Sequence, residues 1–536
     1  MKTSFWRNGE PHIWLTGGGL AICLLMVGGM VMLIVVNGLG VFWPTRLIQF
    51  ALRDGRVVLG QVMEREPSPQ ETGAPSYRIK VNRANRDIDQ ADFIWLDEAD
   101  INGREEPPDV LLLERTEWGK FIGYIKSVRE GENVLAEGPS DGLREVTIRL
   151  PESLALQKQM TTIEKKEIGA INYAQEGLRL RQARLDREGV TSGSETERLE
   201  AEKAELQRRY EAQTSRLDSL KQKMQTTVVL AAADGLEKEI PLSNIVRCYQ
   251  PNRLGFVGKV RLYLAELWEF VADDPRESNT EGGVFPAIFG TVMMVMLMTA
   301  IVTPLGVIAA IYLREYARQG KVVSVVRIAV NNLAGVPSIV FGVFGVGFFI
   351  YFVGGKLDRL FFSDYLPTPT LGTGGILWAS LTLALLTLPV VIVATEEGLA
   401  ALPRETRDAS LALGATKLET TWHVVLPAVM PSILTGLILA MARAAGEVAP
   451  LMVTGVVKLA PSLPIDANWP YLHFDRKFMH LGFHIYDVGF QSPNVDAARP
   501  MVFATTLLLL MIVIVLNLTA IVLRNHLRKR HLQTGF

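Results

Sequence analysis

Arg443 and Glu447 stand four positions apart in an otherwise uncharged apolar run, Met430 to Val457. An Arg near a bilayer centre costs about 2.5–3.5 kcal/mol on insertion scales, so such a residue faces a bundle interior or a wet path rather than lipid. At this spacing the two side chains share one face of a helix. The guanidinium offers a planar fork of donors that suits an oxyanion. In one reading Arg443 meets a passing anion while Glu447 holds the Arg between events or accepts a hydrogen bond from a protonated anion. In the other, the two form a static pair that fixes packing against a partner subunit.

Just upstream lies a charged, amphipathic stretch, RDASLALGATKLETTWHVVLP, from Arg407 to Pro427. Gly414 permits a sharp break between two short helices, and Pro427 suits the start of the helix that follows. The phosphate-loop and zinc-protease signatures of catalysis are absent: the chain has no G-x-x-x-x-G-K-[ST] and no H-E-x-x-H. His473, His480 and His484 cluster in YLHFDRKFMHLGFH. No Cys or ordered acidic set completes a metal shell beside them, and a structured loop explains them better. The two cysteines, Cys23 and Cys248, cannot form a disulfide framework and read as structural thiols.

The elements that position these residues are membrane helices. The chain has 536 residues, 49% of them apolar, and a formal net charge of −1, which favours neither nucleic acid nor an acidic substrate. Ile13 to Val36 is uncharged and long enough to cross a bilayer, which takes about 20 apolar residues. Five more runs follow: Val284 to Leu313, Ile328 to Gly355, Leu371 to Thr395, Met430 to Val457 and Pro500 to Leu523. Six spans put both termini on one side. Lys and Arg concentrate at Lys2 and Arg7, at Arg314, Arg318, Lys321 and Arg327, at Arg404, Arg407 and Lys417, and at Arg524, Arg528, Lys529 and Arg530. By the positive-inside rule these segments are cytoplasmic, as are residues 1–12, the loop 396–429 and residues 525–536. Residues 37–283 then lie outside.

That outer insert reads as α+β. Alternation in DGRVVLGQVME, SYRIKVN, ADFIWLDEAD and EWGKFIGYIKSV indicates short strands over residues 45–150, and residues 228–250 return to the same pattern. Between them, residues 151–227 are rich in Glu, Lys, Arg, Gln and Leu. Leu199, Lys203, Leu206, Tyr210, Gln213, Leu217, Leu220 and Met224 alternate at spacings of four and three, a coiled-coil seam. A looser seam runs through Ile168, Ile171, Leu178 and Leu185, and Ser194 with Glu197 has the form of a capping box. The economical reading is an antiparallel coiled-coil hairpin inserted in the β unit. The rivals are one exposed charged helix or a seam that pairs with another chain. Leu254 to Val271 reads as an amphipathic helix bringing the chain back to the membrane surface.

Asp408, Ala409 and Ser410, followed by Gly414 and by Val424, Leu426 and Pro427, match E-A-A-x3-G-x9-I-x-L-P with conservative changes at the first and third positions. This resembles the coupling loop of ABC importer membrane subunits. Gly282 to Ala317, Asn331 to Phe349 and Ala442 to Met452 (ARAAGEVAPLM) extend the likeness over most of residues 282–524, and within the group the chain looks like the PstA family of phosphate permease subunits. The long insert departs from the short outer loop of compact members. The resemblance implies a polytopic α-helical protein of the type I importer permease fold, over residues 284–524, in the bacterial inner membrane. It implies a second, PstC-like permease, a pair of PstB-like ATPase subunits and a periplasmic PstS-like phosphate-binding protein as partners, within the lipid bilayer and without nucleic acid. It also implies no cofactor in this chain, because ATP and Mg would be held by the ATPase subunits. Two alternatives stay open: another oxyanion cargo such as sulfate or molybdate, and a membrane-anchored coiled-coil sensor or scaffold.

Overall fold

A computed structural model of the chain describes residues 10–68, 77–89, 92–189, 193–492 and 495–533. Lys2 and Arg7 lie outside the described residues. Two compact units emerge, one made of residues up to Val41, Val271–Asp274 and the chain from Val284 on, the other of Phe42–Phe270 and Pro275–Gly283.

The second unit carries two large antiparallel sheets and a two-stranded ribbon of Pro275–Arg276 with Glu281–Gly282. Strands β1 (Ile48–Leu52), β2 (Val57–Pro67), β3 (Tyr77–Asn82), β4 (Phe93–Asp97) and β5 (Ile101–Glu105) form one sheet in the order β4-β3-β2-β1-β5. Strands β6 (Leu111–Arg115), β7 (Phe121–Glu130), β8 (Asn133–Glu137), β9 (Thr226–Ala231), β10 (Glu237–Pro241) and β11 (Ile245–Tyr249) form the other, ordered β10-β9-β7-β6-β11 with β8 on β7. Alternate residues fill the interior: Phe50, Val58, Ile79 and Val81 in the first sheet, Leu111, Leu113, Ile125, Leu230 and Ile245 in the second. Full burial of each large aliphatic side chain contributes about 1.5–3 kcal/mol.

β7 pairs with β9 across an excursion of two long helices. The first, α1, covers residues 139–187 with a π turn at Ile163–Ile168; the second, α2, is Ser194–Gln222. They run antiparallel: Arg181 faces Glu202 at 3.6 Å, Glu167 faces Arg216 at 3.9 Å, and Ile163 packs on Leu217 and Leu220. Two sequence expectations need correction. The helix starts at Pro139 rather than Pro151, because Pro139 opens its first turn and Pro151 is absorbed inside it. Ser194 is the first helical residue and makes no cap, since Gly193 occupies the cap position at φ +155. After β11, helix α3 (Phe256–Ala272) leads out of the unit.

Among the described residues of the first unit, six helices are long and apolar enough to cross a membrane: span one His12–Gly40, two Phe285–Tyr316, three Ser338–Phe361, four Ile376–Ala401, five Lys417–Gly446 and six Val495–His526. Span four is the packing centre, buried between spans two and five. Its approach to span five is set by small residues, since a Cβ on Gly436 would stand 2.6 Å from that of Ala394. Span one packs along span six, with Gly38 against Phe503 and Leu507, and its remaining surface is exposed. Cys23 is on that exposed surface, not in a core.

Two spans differ from the hydropathy reading. Span three starts at Ser338 and not at Ile328: residues 328–333 finish a separate amphipathic helix, α4 (Lys321–Leu333), and Pro337 in extended conformation forces a turn before Ser338. Span five starts at Lys417 and stops at Gly446, eleven residues before Val457. The stop has a local cause. Pro450 has no N–H for the carbonyl four residues earlier and its ring would collide with it.

Candidate functional site

The loop between spans four and five folds as a rigid helix–turn–helix. Helix α5 (Arg404–Ala412) follows Pro403 and ends in a Schellman turn. Gly414 N–H donates to the Leu411 carbonyl at 3.0 Å, and Ala415 N–H to the Ser410 carbonyl at 3.3 Å. Gly414 takes φ +89, a conformation costly for any residue with a Cβ. Thr416 then caps span five in a reciprocal box: its Oγ1 accepts from Glu419 N–H at 3.3 Å, and Glu419 Oε2 accepts from Thr416 N–H at 2.8 Å. The Ser410 and Thr420 hydroxyls meet at 3.0 Å and brace the two helices.

Pro427 does not begin a helix, contrary to the sequence reading. Lys417–Gly446 is one helix, and a π turn at Thr421–Val425 lies immediately before Leu426 and Pro427. A π turn shifts the hydrogen-bond register, which accommodates the missing proline donor without ending the helix.

Arg407 anchors the loop, a role the sequence did not disclose. Its guanidinium reaches Glu315 at 2.9 and 3.1 Å and the carbonyls of Leu402 at 2.9 Å and Leu399 at 2.8 Å. Glu315 lies at the end of span two and Leu399 at the end of span four. Lys417 adds a cation–π contact to Tyr316, 4.9 Å from the ring centroid. On the other side the loop is open: Asp408, Ala409, Leu411, Gly414 and Leu418 are exposed, and Leu413 is 90% exposed. Beside it, Arg327 pairs with Glu396 of span four at 3.1 Å.

Arg443 and Glu447 come together, but not on one helical face. Glu447 sits one residue beyond the helix, in extended conformation at φ −77 and ψ 133, with its Oε1 3.5 Å from Arg443 Nε. The contact is an ion pair without the short, aligned geometry of a strong hydrogen bond. After Val448 the chain resumes as a short helix, α6 (Ala449–Thr454). The span is therefore interrupted beside its ionisable pair, and backbone of this kind is tolerated at membrane depth where protein or a wet cavity surrounds it.

Against the interruption packs α7 (Leu481–Tyr486), close enough that a Cβ on Gly482 would lie 2.8 Å from Val448 Cγ2. Here the three histidines have separate tasks. His480 Nδ1 accepts from Gly482 N–H at 3.1 Å and caps α7; burial pushes its pKa down to about 3, which keeps the ring neutral and able to accept. His484 is buried in the same helix, near the Lys458–Asp487 pair at 3.2 Å. His473 bonds Asp466 at 3.0 Å, which also holds Arg476 at 2.6 Å. Among the described residues no three His, Cys, Asp or Glu side chains group as metal ligands.

Residues 302–532 match the family described as "Binding-protein-dependent transport system inner membrane component". The chain is 34% identical over 243 residues to the phosphate transport system permease protein PstA 1 of Mycobacterium tuberculosis, covering 45% of this chain and 71% of that protein. It is 29% identical over 258 residues to the probable ABC transporter permease protein YqgI of Bacillus subtilis, covering 47% and 81%. It is 38% identical over 189 residues to the PstA permease of Yersinia pestis, covering 35% and 57%. Among solved structures, an inward-facing MetNI methionine ABC transporter aligns with a TM-score of 0.32 at 15% identity, over 45% of this chain and 94% of that one. The family match leaves out the whole β-rich unit.

Proposed function

From the premise that the chain belongs to the family of binding-protein-dependent transport system inner-membrane components, we propose that it is the phosphate-path subunit of an ATP-driven importer. As a member of that family it is a non-catalytic permease subunit of an ABC importer in the inner membrane. Phosphate as cargo rests on the relatives named as phosphate permeases, at 34% and 38% identity. The partners that follow are a second, PstC-like permease, a PstB-like ATPase pair that binds ATP and Mg, and a PstS-like phosphate-binding protein.

The observation that carries the mechanism is the anchoring of the exposed loop by Arg407 to the ends of spans two and four. A loop that is stiff inside, fixed behind and apolar in front suits a docking helix on an ATPase subunit. In this reading Asp408, Ala409, Ser410 and Gly414 form that contact, and Leu426 and Pro427 join it to span five. Closure of the ATPase pair would move the loop, and the unbroken helix would carry the movement to the interruption at Glu447. There Arg443 supplies positive charge and donors to the anion, while Glu447 holds the Arg when no anion is present. The orientation follows the basic loops, with Arg314, Arg404, Arg407 and Arg524 on the cytoplasmic side and the β-rich insert outside.

The test is purification of the intact assembly followed by uptake of labelled phosphate in the presence of excess sulfate or molybdate. The expected result is co-purification of an ATPase and uptake blocked only by unlabelled phosphate. Competition by sulfate or molybdate instead would assign the cargo to another oxyanion, and the absence of an ATPase would remove the importer reading.

A further inference from the structure

Helix α3 is built inside out. Its carboxylates point into the β-rich unit: Glu266 lies 3.4 Å from Arg247, Glu269 lies 2.6 Å from Arg247, and Glu269 also pairs with Arg276. Phe270 is buried against Phe42, with ring centroids 5.1 Å apart, and Phe256 and Tyr263 pack on Trp43. The outward side is the apolar one. Val257, Arg261, Leu264 and Trp268 follow one another at spacings of four, three and four, and Val257 and Trp268 are 80% and 73% exposed. With Phe256 and Val260, Val257, Arg261 and Leu264 line a shallow open groove. Buried carboxylates opposite an exposed tryptophan invert the arrangement that water selects.

We propose that α3 lies in the interface of the lipid bilayer, with Val257, Leu264 and Trp268 at the top of the acyl chains and Arg261 among the lipid phosphates. Covalent connection limits where α3 can be. Trp43, the residue on which it rests, follows the end of span one at Gly40 by three residues, so the two remain within about 11 Å at full extension. At its other end, Ala272 precedes Phe285, the first residue of span two, by thirteen residues. A helix tied on both sides to membrane spans presents its apolar stripe where lipid is the nearest apolar medium. The remaining chemistry agrees with lipid. Trp is favoured at the headgroup level, a long basic side chain can cover apolar surface while its charge reaches the headgroups, and among the described residues Arg261 has no ion-pair partner. The proposal does not depend on which anion is transported.

The test uses the full chain in nanodiscs of mixed phosphatidylethanolamine and phosphatidylglycerol, with a nitroxide introduced by Leu264→Cys in a Cys23→Ser, Cys248→Ala background. At position 264 the label is expected to be relaxed severalfold more by oxygen than by a water-soluble nickel complex. A label introduced by Ala212→Cys on α2 should show the reverse. Preference for nickel at position 264 overturns the proposal, and shielding from both reagents overturns it in favour of a protein covering the stripe. A second measurement leaves the cysteines untouched. Lipids brominated near the top of the acyl chain should quench the fluorescence of the natural protein more than that of Trp268→Phe, and equal quenching overturns the proposal.

Discussion

Arg407 and Glu315 are 92 residues apart in the chain and 2.9 Å apart in space. Each is largely buried, with side chains 17% and 13% exposed, so the pair is a structural joint between the loop and the end of span two. Arg407→Ala should cut phosphate uptake at least tenfold with the membrane level of the protein held constant. It removes charge-assisted hydrogen bonds of about 1.5–3 kcal/mol each and leaves Glu315 without its partner. Arg407→Lys should retain an intermediate rate, because a point charge cannot reproduce the fork that also reaches Leu399 and Leu402. Full activity of Arg407→Ala would refute the joint.

Gly414→Val should uncouple the importer. A β-branched residue at φ +89 cannot keep the Schellman turn, so the two short helices lose their angle. Uptake should collapse while the ATPase subunits in the purified assembly still hydrolyse ATP. Asp408→Lys, on the exposed side of the same helix, should weaken retention of those subunits without unfolding the loop. Normal uptake in both variants would end the coupling role.

Arg443→Ala should abolish uptake while leaving assembly and basal ATP hydrolysis intact, as read from co-purification and phosphate release. Glu447→Gln should lower the rate less, because Glu447 is assigned only to hold the Arg. Loss of assembly in Arg443→Ala would make the pair a packing device.

Arg115 offers a stability test in the β-rich unit. It makes two bonds to Asp87, at 2.8 and 3.1 Å, and donates to the Gly119 and Trp118 carbonyls at 2.9 Å each, with Arg and Asp side chains 3% and 5% exposed. Removing one member of such a pair costs about 3–5 kcal/mol. In a Cys23→Ser background, labelling of the Cys248 thiol in β11 reports opening of this unit. Arg115→Ala should shift the urea midpoint of labelling down by more than about 1 M.

The pH dependence of the same unit has a defined sign. Burial, and then the negative charge of Glu114, push the Glu266 carboxyl up from 4.5 to about 7, against the pull of Lys120 and Arg247. The folded chain then keeps a proton that the unfolded chain releases. Stability from this group is complete below the unfolded value of 4.5 and is lost as pH rises toward 7. Glu266→Gln should therefore raise the urea midpoint at pH 8 and leave it nearly unchanged at pH 4.

The six apolar spans, the strands and the ionisable pair Arg443 and Glu447 were legible because each depends on composition or periodicity within a short window. The interruption at Glu447 was not, since a hydropathy average passes smoothly over one extended residue between two apolar pieces. Pro450 was the available signal, as a proline in an apolar run marks a helix end shortly before it. The start of span three was hidden for a similar reason: the apolar face of α4 merges with the run that follows, and Pro337 alone marks the boundary. Nothing in the sequence connects Arg407 with Glu315, because a partner 92 residues away is chosen by how the spans pack. The same holds for Gly193, where the backbone conformation excluded Ser194 from the cap.

The helix Lys417–Gly446 has 30 residues, which makes it a rod about 45 Å long. A π turn absorbs Pro427, and Pro431 sits inside the helix without ending it, so the helix runs on from its charged foot to its tip. A rod of that length works as a lever: each degree of tilt at the foot sweeps the tip through about 0.8 Å. A few degrees would displace Arg443 by roughly the 3.5 Å that separates it from Glu447. The interruption is where this leverage ends, with Glu447 on the side that need not turn with the rod.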